Sequence, residues 1–203
     1  MRYNGLVANI SERVIKLARP PITFRYPLIG GLPDQAAEQR INSAIRQLVF
    51  GMLHRQREPG LVYLNGSYLI AVNRRGVLSV VFDSDSYAGG AHGMQYKRSL
   101  TFSLRSGRIE QLADLFLPGS DWRRRIDAFI RRQIAAQNIP LIAPFHGIGS
   151  DQPFYLTPHA LVVYFQLYEY TPYAYGFPLF AMPFSLFRDI VKPGGAIARL
   201  LRG

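Results

Sequence analysis

The sequence predicts an α+β protein: an antiparallel β-sheet with two main α-helices packed on it and a short C-terminal helix. Two stretches, residues 34–57 and 120–137, repeat their apolar residues every three or four positions, as an amphipathic helix must. The run from Met94 to Leu104 repeats them every second position, as a half-buried strand does, and "SYLIAVN" and "VLSVVFD" before it read as the two strands of a hairpin. Glycine and proline clusters separate these segments.

In chain order, "VANISERVIKL" (residues 7–17) and "ITFRYP" (Ile22–Pro27) read as strands divided by Pro20 and Pro21. "PLIGGLPD" is a turn that ends on Asp34, a residue suited to cap the helix after it. That helix buries Ala37, Ile41, Ala44, Ile45, Leu48, Val49 and Met52, and Pro59 and Gly60 stop it. "SYLIAVN" and "VLSVVFD" flank Arg74, Arg75 and Gly76, a hairpin whose glycine supplies the positive φ of a tight turn. From Met94 to Leu104 the apolar residues share one face and Gln95, Lys97, Ser99, Thr101 and Ser103 the other, which is expected to be wet.

The second helix takes Ser120 or Asp121 as its cap and Ile126, Phe129, Ile130 and Ile134 as its stripe. After an irregular Pro- and Gly-rich excursion, Leu161–Tyr170 reads as a strand with Leu161, Val163, Phe165 and Leu167 on one face and Tyr164, Gln166, Tyr168 and Tyr170 on the other. A last short helix is expected from Pro183, burying Leu186, Phe187, Ile190 and Val191 before "KPGG". The 203 residues are read as one α+β domain, 1–203, with a strand and helix part at 20–65 and a sheet and helix part at 66–192.

Composition narrows the function classes. Hydrophobic content of 48% leaves no stretch polar enough to be disordered, and no apolar run approaches the roughly 18–20 residues that span a bilayer. The first residues lack the basic and apolar regions of a secretory signal, so the protein is expected either to stay inside the cell or to lack its leader here. The absence of cysteine excludes disulfides, thiolate metal sites and cysteine nucleophiles. A net charge of +11, with 21 Arg against three Lys, fits an anionic partner or a solvated basic surface.

Three sequence blocks resemble, in order, the extracytoplasmic domain family shared by the lysozyme-sensing anti-sigma factor RsiV and the N-terminal region of the peptidoglycan deacetylase PdaC. They are "RYPLIGGLPDQAAEQRIN", then "YAGGAHG" with its following strand and "IEQLADLF", then "YFQLYEYTPYAYGFPLFAMP". The resemblance spans roughly residues 22–190 and implies an α+β domain displayed at the cell envelope. It also implies recognition of a wall polymer or of a protein such as lysozyme. The chain is expected to depart from that pattern, since no transmembrane anchor and no deacetylase domain is read in these 203 residues.

Among candidate sites, His92 stands within "YAGGAHG" (Tyr87–Gly93) beside Gly89, Gly90 and Gly93. Metal binding would need three or four converging ligands, and only Asp83 and Asp85 lie near in sequence, so no metal and no cofactor is expected. A nucleophilic hydrolase would need an activated serine, and no G-x-S-x-G elbow occurs, so the balance is against an enzyme. The motif therefore reads as a structural turn in which Tyr87, the three glycines and a neutral His92 satisfy backbone groups, with His92 also a candidate ligand contact at a groove rim. Glu169, expected among aliphatic residues, or a neighbouring tyrosine hydroxyl is the candidate partner of His92.

Tyr164, Tyr168, Tyr170, Tyr173 and Tyr175 form the candidate ligand-binding surface, because tyrosine combines a flat apolar face with a polar tip. Arg123, Arg124, Arg125, Arg131 and Arg132 form the candidate anion-binding face. The chain is thus expected to be a non-enzymatic binding or sensing domain. The alternatives are a hydrolase of peptidoglycan or a related glycan, working through His92, Glu169, Asp83 and Asp85, and a cytoplasmic nucleic-acid-binding protein. The last is disfavoured by the lack of any helix-turn-helix, zinc-finger or RNP pattern.

Overall fold

A computed structural model describes residues 5–202. The chain divides into two compact units, the first ending at Ile109 and the second beginning at Glu110.

In the first unit, β1 (Asn9–Ala18), β2 (Pro21–Gly30), β3 (Tyr63–Arg74), β4 (Val77–Tyr87) and β5 (Met94–Ser103) form one sheet in sequential order. Every neighbouring pair is antiparallel except β2 and β3, which run parallel from Ile22↔Leu64 to Phe24↔Gly66. The sheet expected to be antiparallel throughout is therefore mixed at one joint. A parallel neighbour needs a crossover, and α1 (Gln35–Arg55) provides it.

Helix α1 begins where expected: the Asp34 carboxylate accepts from the N–H groups of Ala36 and Ala37 at 2.8 and 3.2 Å. Its stripe of Ala37, Ile41, Ile45, Val49 and Met52 is buried, and the last four pack with Phe24, Ile29, Leu64, Phe82 and Phe102 in the core of this unit. The β3–β4 turn has positive φ at both Arg75 and Gly76, the two-residue geometry that matches the twist of a hairpin. The side of β5 expected to be wet is buried at Thr101 and Ser103. There the hydroxyls of Thr101 and Ser79, directly opposite on β4, bond to each other at 2.8 Å.

The second unit holds α2 (Trp122–Ala136) and an antiparallel sheet in the order β6 (Phe154–Leu156), β7 (Ala160–Tyr164) and β8 (Leu179–Pro183), followed by α3 (Ala196–Leu201). Ile126 and Ile130 of α2 are buried, whereas Phe129 and Ile134 are half-buried, so the stripe is narrower than its period suggests.

Two expectations change here. The strand expected over Leu161–Tyr170 ends at Tyr164, because its partner β8 begins at Leu179 and the preceding Pro178 has no N–H to extend the ladder. Phe165 donates to the Pro178 carbonyl at 3.1 Å and the chain then leaves the sheet. The helix expected from Pro183 is a single 3-10 turn, Phe184–Phe187. The closing helix α3 instead lies beyond "KPGG", with Ala196, Ile197 and Leu200 buried.

Candidate recognition surface

Because β7 stops at Tyr164, the two-sided alternation foreseen for the tyrosines does not form. They sort instead into inner and outer sets on the β7–β8 loop. Tyr164 has no exposed surface, and its carbonyl accepts from the Gln152 side chain at 2.8 Å. Tyr170 packs edge-on against Phe165 and Phe145, with ring centroids 4.9 and 5.4 Å away, and its carbonyl accepts from the Ile142 N–H at 2.9 Å. Burial raises the pKa of the Tyr170 phenol, and the charges of Glu169 and Asp127 add to the effect.

The outer set faces the surface. Tyr168 is 47% exposed and adopts a φ of 63°, a left-handed conformation uncommon for a bulky residue. Its ring centroid lies 5.8 Å from that of Tyr173. Tyr173–Tyr175 form a 3-10 turn that presents Tyr175, 40% exposed. The left-handed turn at Tyr168 is closed by its neighbour: Glu169 Oε2 accepts from the Gln166 N–H at 2.8 Å. Glu169 is thus an exposed loop residue, where a buried strand position was expected.

Beneath this loop, Ile134, Ile139, Leu141, Phe145, Phe165, Tyr170, Thr171, Pro178 and Phe180 line a small apolar cleft. Thr171 has no exposed surface, and its hydroxyl has no hydrogen-bond partner among the described residues. The Arg131 guanidinium lies 5.5 Å from the Phe145 ring centroid and donates to the His146 carbonyl at 3.3 Å, which sets a cation beside the aromatic group.

The five arginines of α2 do not act as one free cationic face. Arg125 grips Asp189 through two parallel hydrogen bonds of 2.7 Å and also bonds Asp121 at 2.8 Å. Arg124 bonds Asp121 at 3.0 Å. These contacts hold the Asp121 and Asp189 carboxyls below the usual carboxylate range and raise Arg125 further. Arg123 stacks over Trp122 at 5.2 Å, and Arg132 is exposed. The pairing of Asp121 with Arg124 and Arg125 was legible from their three- and four-residue spacing; the grip on Asp189 had no local signal.

The glycine turn lies in the first unit. Gly89 and Gly90 have φ values of 99° and 94°, and a Cβ on Gly93 would fall 2.7 Å from the Ser86 carbonyl. The motif thus needs two glycines for conformation and one for close approach. The Tyr87 hydroxyl donates to the Gly90 carbonyl at 2.9 Å, and its ring stacks on Tyr63. His92 Nδ1 lies 2.9 Å from the Gly93 carbonyl, so the ring meets a backbone group of the turn as expected, although it is exposed.

Asp83, a residue of the glycan-hydrolase alternative, forms an ion pair with Lys97. Among the described residues no group of three or more His, Asp or Glu is arranged to hold a metal ion. Also among them, no helix is long and apolar enough to cross a membrane.

Residues 113–185 match the family described as "Protein of unknown function (DUF3298)". No curated protein matches the chain. Two crystal structures share its fold. A member of the DUF3298 family from Bacteroides fragilis is 14% identical, covers 98% of this chain and 99% of its own, and has a TM-score of 0.68. A DUF3298 family protein from Pseudomonas aeruginosa is 17% identical, covers 99% of each chain and also has a TM-score of 0.68. The chain therefore has the fold of these DUF3298 proteins, and its segment 113–185 is similar to the DUF3298 family.

Proposed function

We propose that this chain is a non-enzymatic binding domain of the cell envelope and that it recognises an anionic wall polymer through Tyr168, Tyr173 and Tyr175. The observation that supports this reading is the sorting of the tyrosines. Tyr164 and Tyr170 anchor the β7–β8 loop from within, and Tyr168 and Tyr175 stand 47% and 40% exposed on it. A sugar ring gains by laying its apolar face on a tyrosine ring, and a pre-ordered loop reduces the entropy lost on binding. Arg131 supplies a cation over Phe145, whose ring packs on Tyr170 of the inner set. The net charge of +11 draws anionic polymers from a distance and repels a basic protein such as lysozyme, which favours polymer over protein as the partner.

The test is co-sedimentation with purified peptidoglycan and teichoic acid, with lysozyme capture in parallel. The polymer is expected to retain the wild-type chain. The double variant Tyr168→Ala/Tyr175→Ala is expected to bind at least about tenfold more weakly, since stacked rings contribute roughly 1 kcal/mol each, at an unchanged melting temperature. Equal retention of both proteins, capture by lysozyme alone, or turnover of wall fragments by the wild type would each overturn the reading.

A further inference from the structure

Among the described residues, β1 pairs with β2 over its whole length, Asn9↔Gly30 to Ala18↔Pro21, and no strand lies on its other side. Ten residues of strand edge are a template for another strand, and sheets usually shorten, bulge or cover such an edge. Here the ladder runs without a register break, and Val14 and Leu17 are 39% and 45% exposed.

We infer that β1 pairs antiparallel with β1 of a second copy, around a two-fold axis at Val14, to give a continuous sheet through two chains. Backbone parity supports this axis. Glu12 faces Pro27, which has no N–H, so the pair is one without mutual hydrogen bonds. Alternation then turns the N–H and C=O groups of Ile10, Glu12, Val14 and Lys16 toward the open side. An axis at Val14 sets Val14 against its own copy as a hydrogen-bonded pair and places every outward-turned residue opposite another.

Charge selects the same register. With Val14 on the axis, Glu12 of each chain stands opposite Lys16 of the other, which makes two opposite-charge cross-strand pairs by symmetry. In the single chain Glu12 bonds Arg25 at 2.8 Å, so the arriving lysine would join a carboxylate already held in place. Moving the axis to Arg13 or Ile15 keeps the backbone parity but sets Glu12 opposite Val14 or Ala18, so the charge match selects Val14; a slip of one residue in register loses both.

Sedimentation equilibrium on the full chain, from micromolar to millimolar concentration, tests the inference. The wild type is expected to dimerise. Lys16→Glu, which leaves the Glu12–Arg25 pair intact, should weaken dimerisation at least about tenfold by setting like charges face to face. Glu12→Lys/Lys16→Glu should restore it, although it removes the Arg25 pair. A wild type that stays monomeric, a Lys16→Glu variant that associates like the wild type, or a double variant no better than Lys16→Glu would each overturn it. Circular dichroism melts of all three proteins confirm that each is folded under the conditions compared.

Discussion

The side-chain amide of Asn42 takes the place of a neighbouring strand for Ile29: Oδ1 accepts from the Ile29 N–H and Nδ2 donates to the Ile29 carbonyl, both at 2.8 Å. Strand β2 pairs with β3 only as far as Phe24, so the far end of β2 would otherwise carry unmatched backbone groups beside the core. Asn42→Ala should destabilise the fold by about 1–3 kcal/mol, the range for leaving buried polar groups unsatisfied. Asn42→Asp keeps the acceptor but loses the donor and should also destabilise. Urea unfolding measures both, and a change below about 0.5 kcal/mol for Asn42→Ala would show that water serves Ile29 equally well.

Gly66 faces Phe24 across the parallel β2–β3 joint, and a Cβ placed on it would lie 2.1–2.4 Å from three carbons of the Phe24 ring. Phe24 is fully buried, so the ring has nowhere to retreat without moving the core. Gly66→Ala should therefore destabilise by about 1–3 kcal/mol, the usual effect of overpacking. Adding Phe24→Leu should make the pair of substitutions less damaging than the sum of the two singles. Strict additivity in a double-mutant cycle would refute the clash.

Within "YAGGAHG" the residue that looks most chemical should matter least to the fold. His92 is exposed, so His92→Ala should change stability by less than about 0.5 kcal/mol. Gly93→Ala, which drives a methyl group toward the Ser86 carbonyl, should lower the melting temperature measurably. A thermal melt in which His92→Ala is the more damaging of the two would show that the hydrogen bond from its ring to the Gly93 carbonyl holds this turn.

The bidentate pair of Arg125 and Asp189 predicts an acid-dependent contribution. The Asp189 pKa is lower in the folded protein than in the unfolded chain, where it lies near about 3.9. The contribution is therefore complete above the unfolded value and disappears as pH falls through the lower, folded one. Asp189→Asn should melt below the wild type near neutral pH, and the gap should close as the pH is lowered past the carboxylate range. Salt should narrow the gap as well, since the pair is exposed. A gap that does not change between neutral and strongly acidic solution would assign the effect of the substitution to packing.

Much of the fold could be read directly from residue order. Helices α1 and α2, the Asp34 cap, the β3–β4 hairpin and the course of β5 follow from spacings of two to four residues, over which backbone geometry alone decides which side chains share a face. The glycines of "YAGGAHG" were legible for the same reason, because what they permit is local.

What could not be read depends on partners far along the chain. β7 ends at Tyr164 because Pro178 lies opposite the next residue, so the tyrosine face foreseen from alternation became two anchors and an exposed loop. Arg125 belongs to Asp189, 64 residues away, and so is held by an acid where an anion-binding role was foreseen. Asn42 serves a strand 13 residues earlier, which no capping or periodicity rule describes. Periodicity records which way a side chain turns from its own backbone, whereas its partner depends on which distant segment of the chain folds against it, and that is settled only in the tertiary structure.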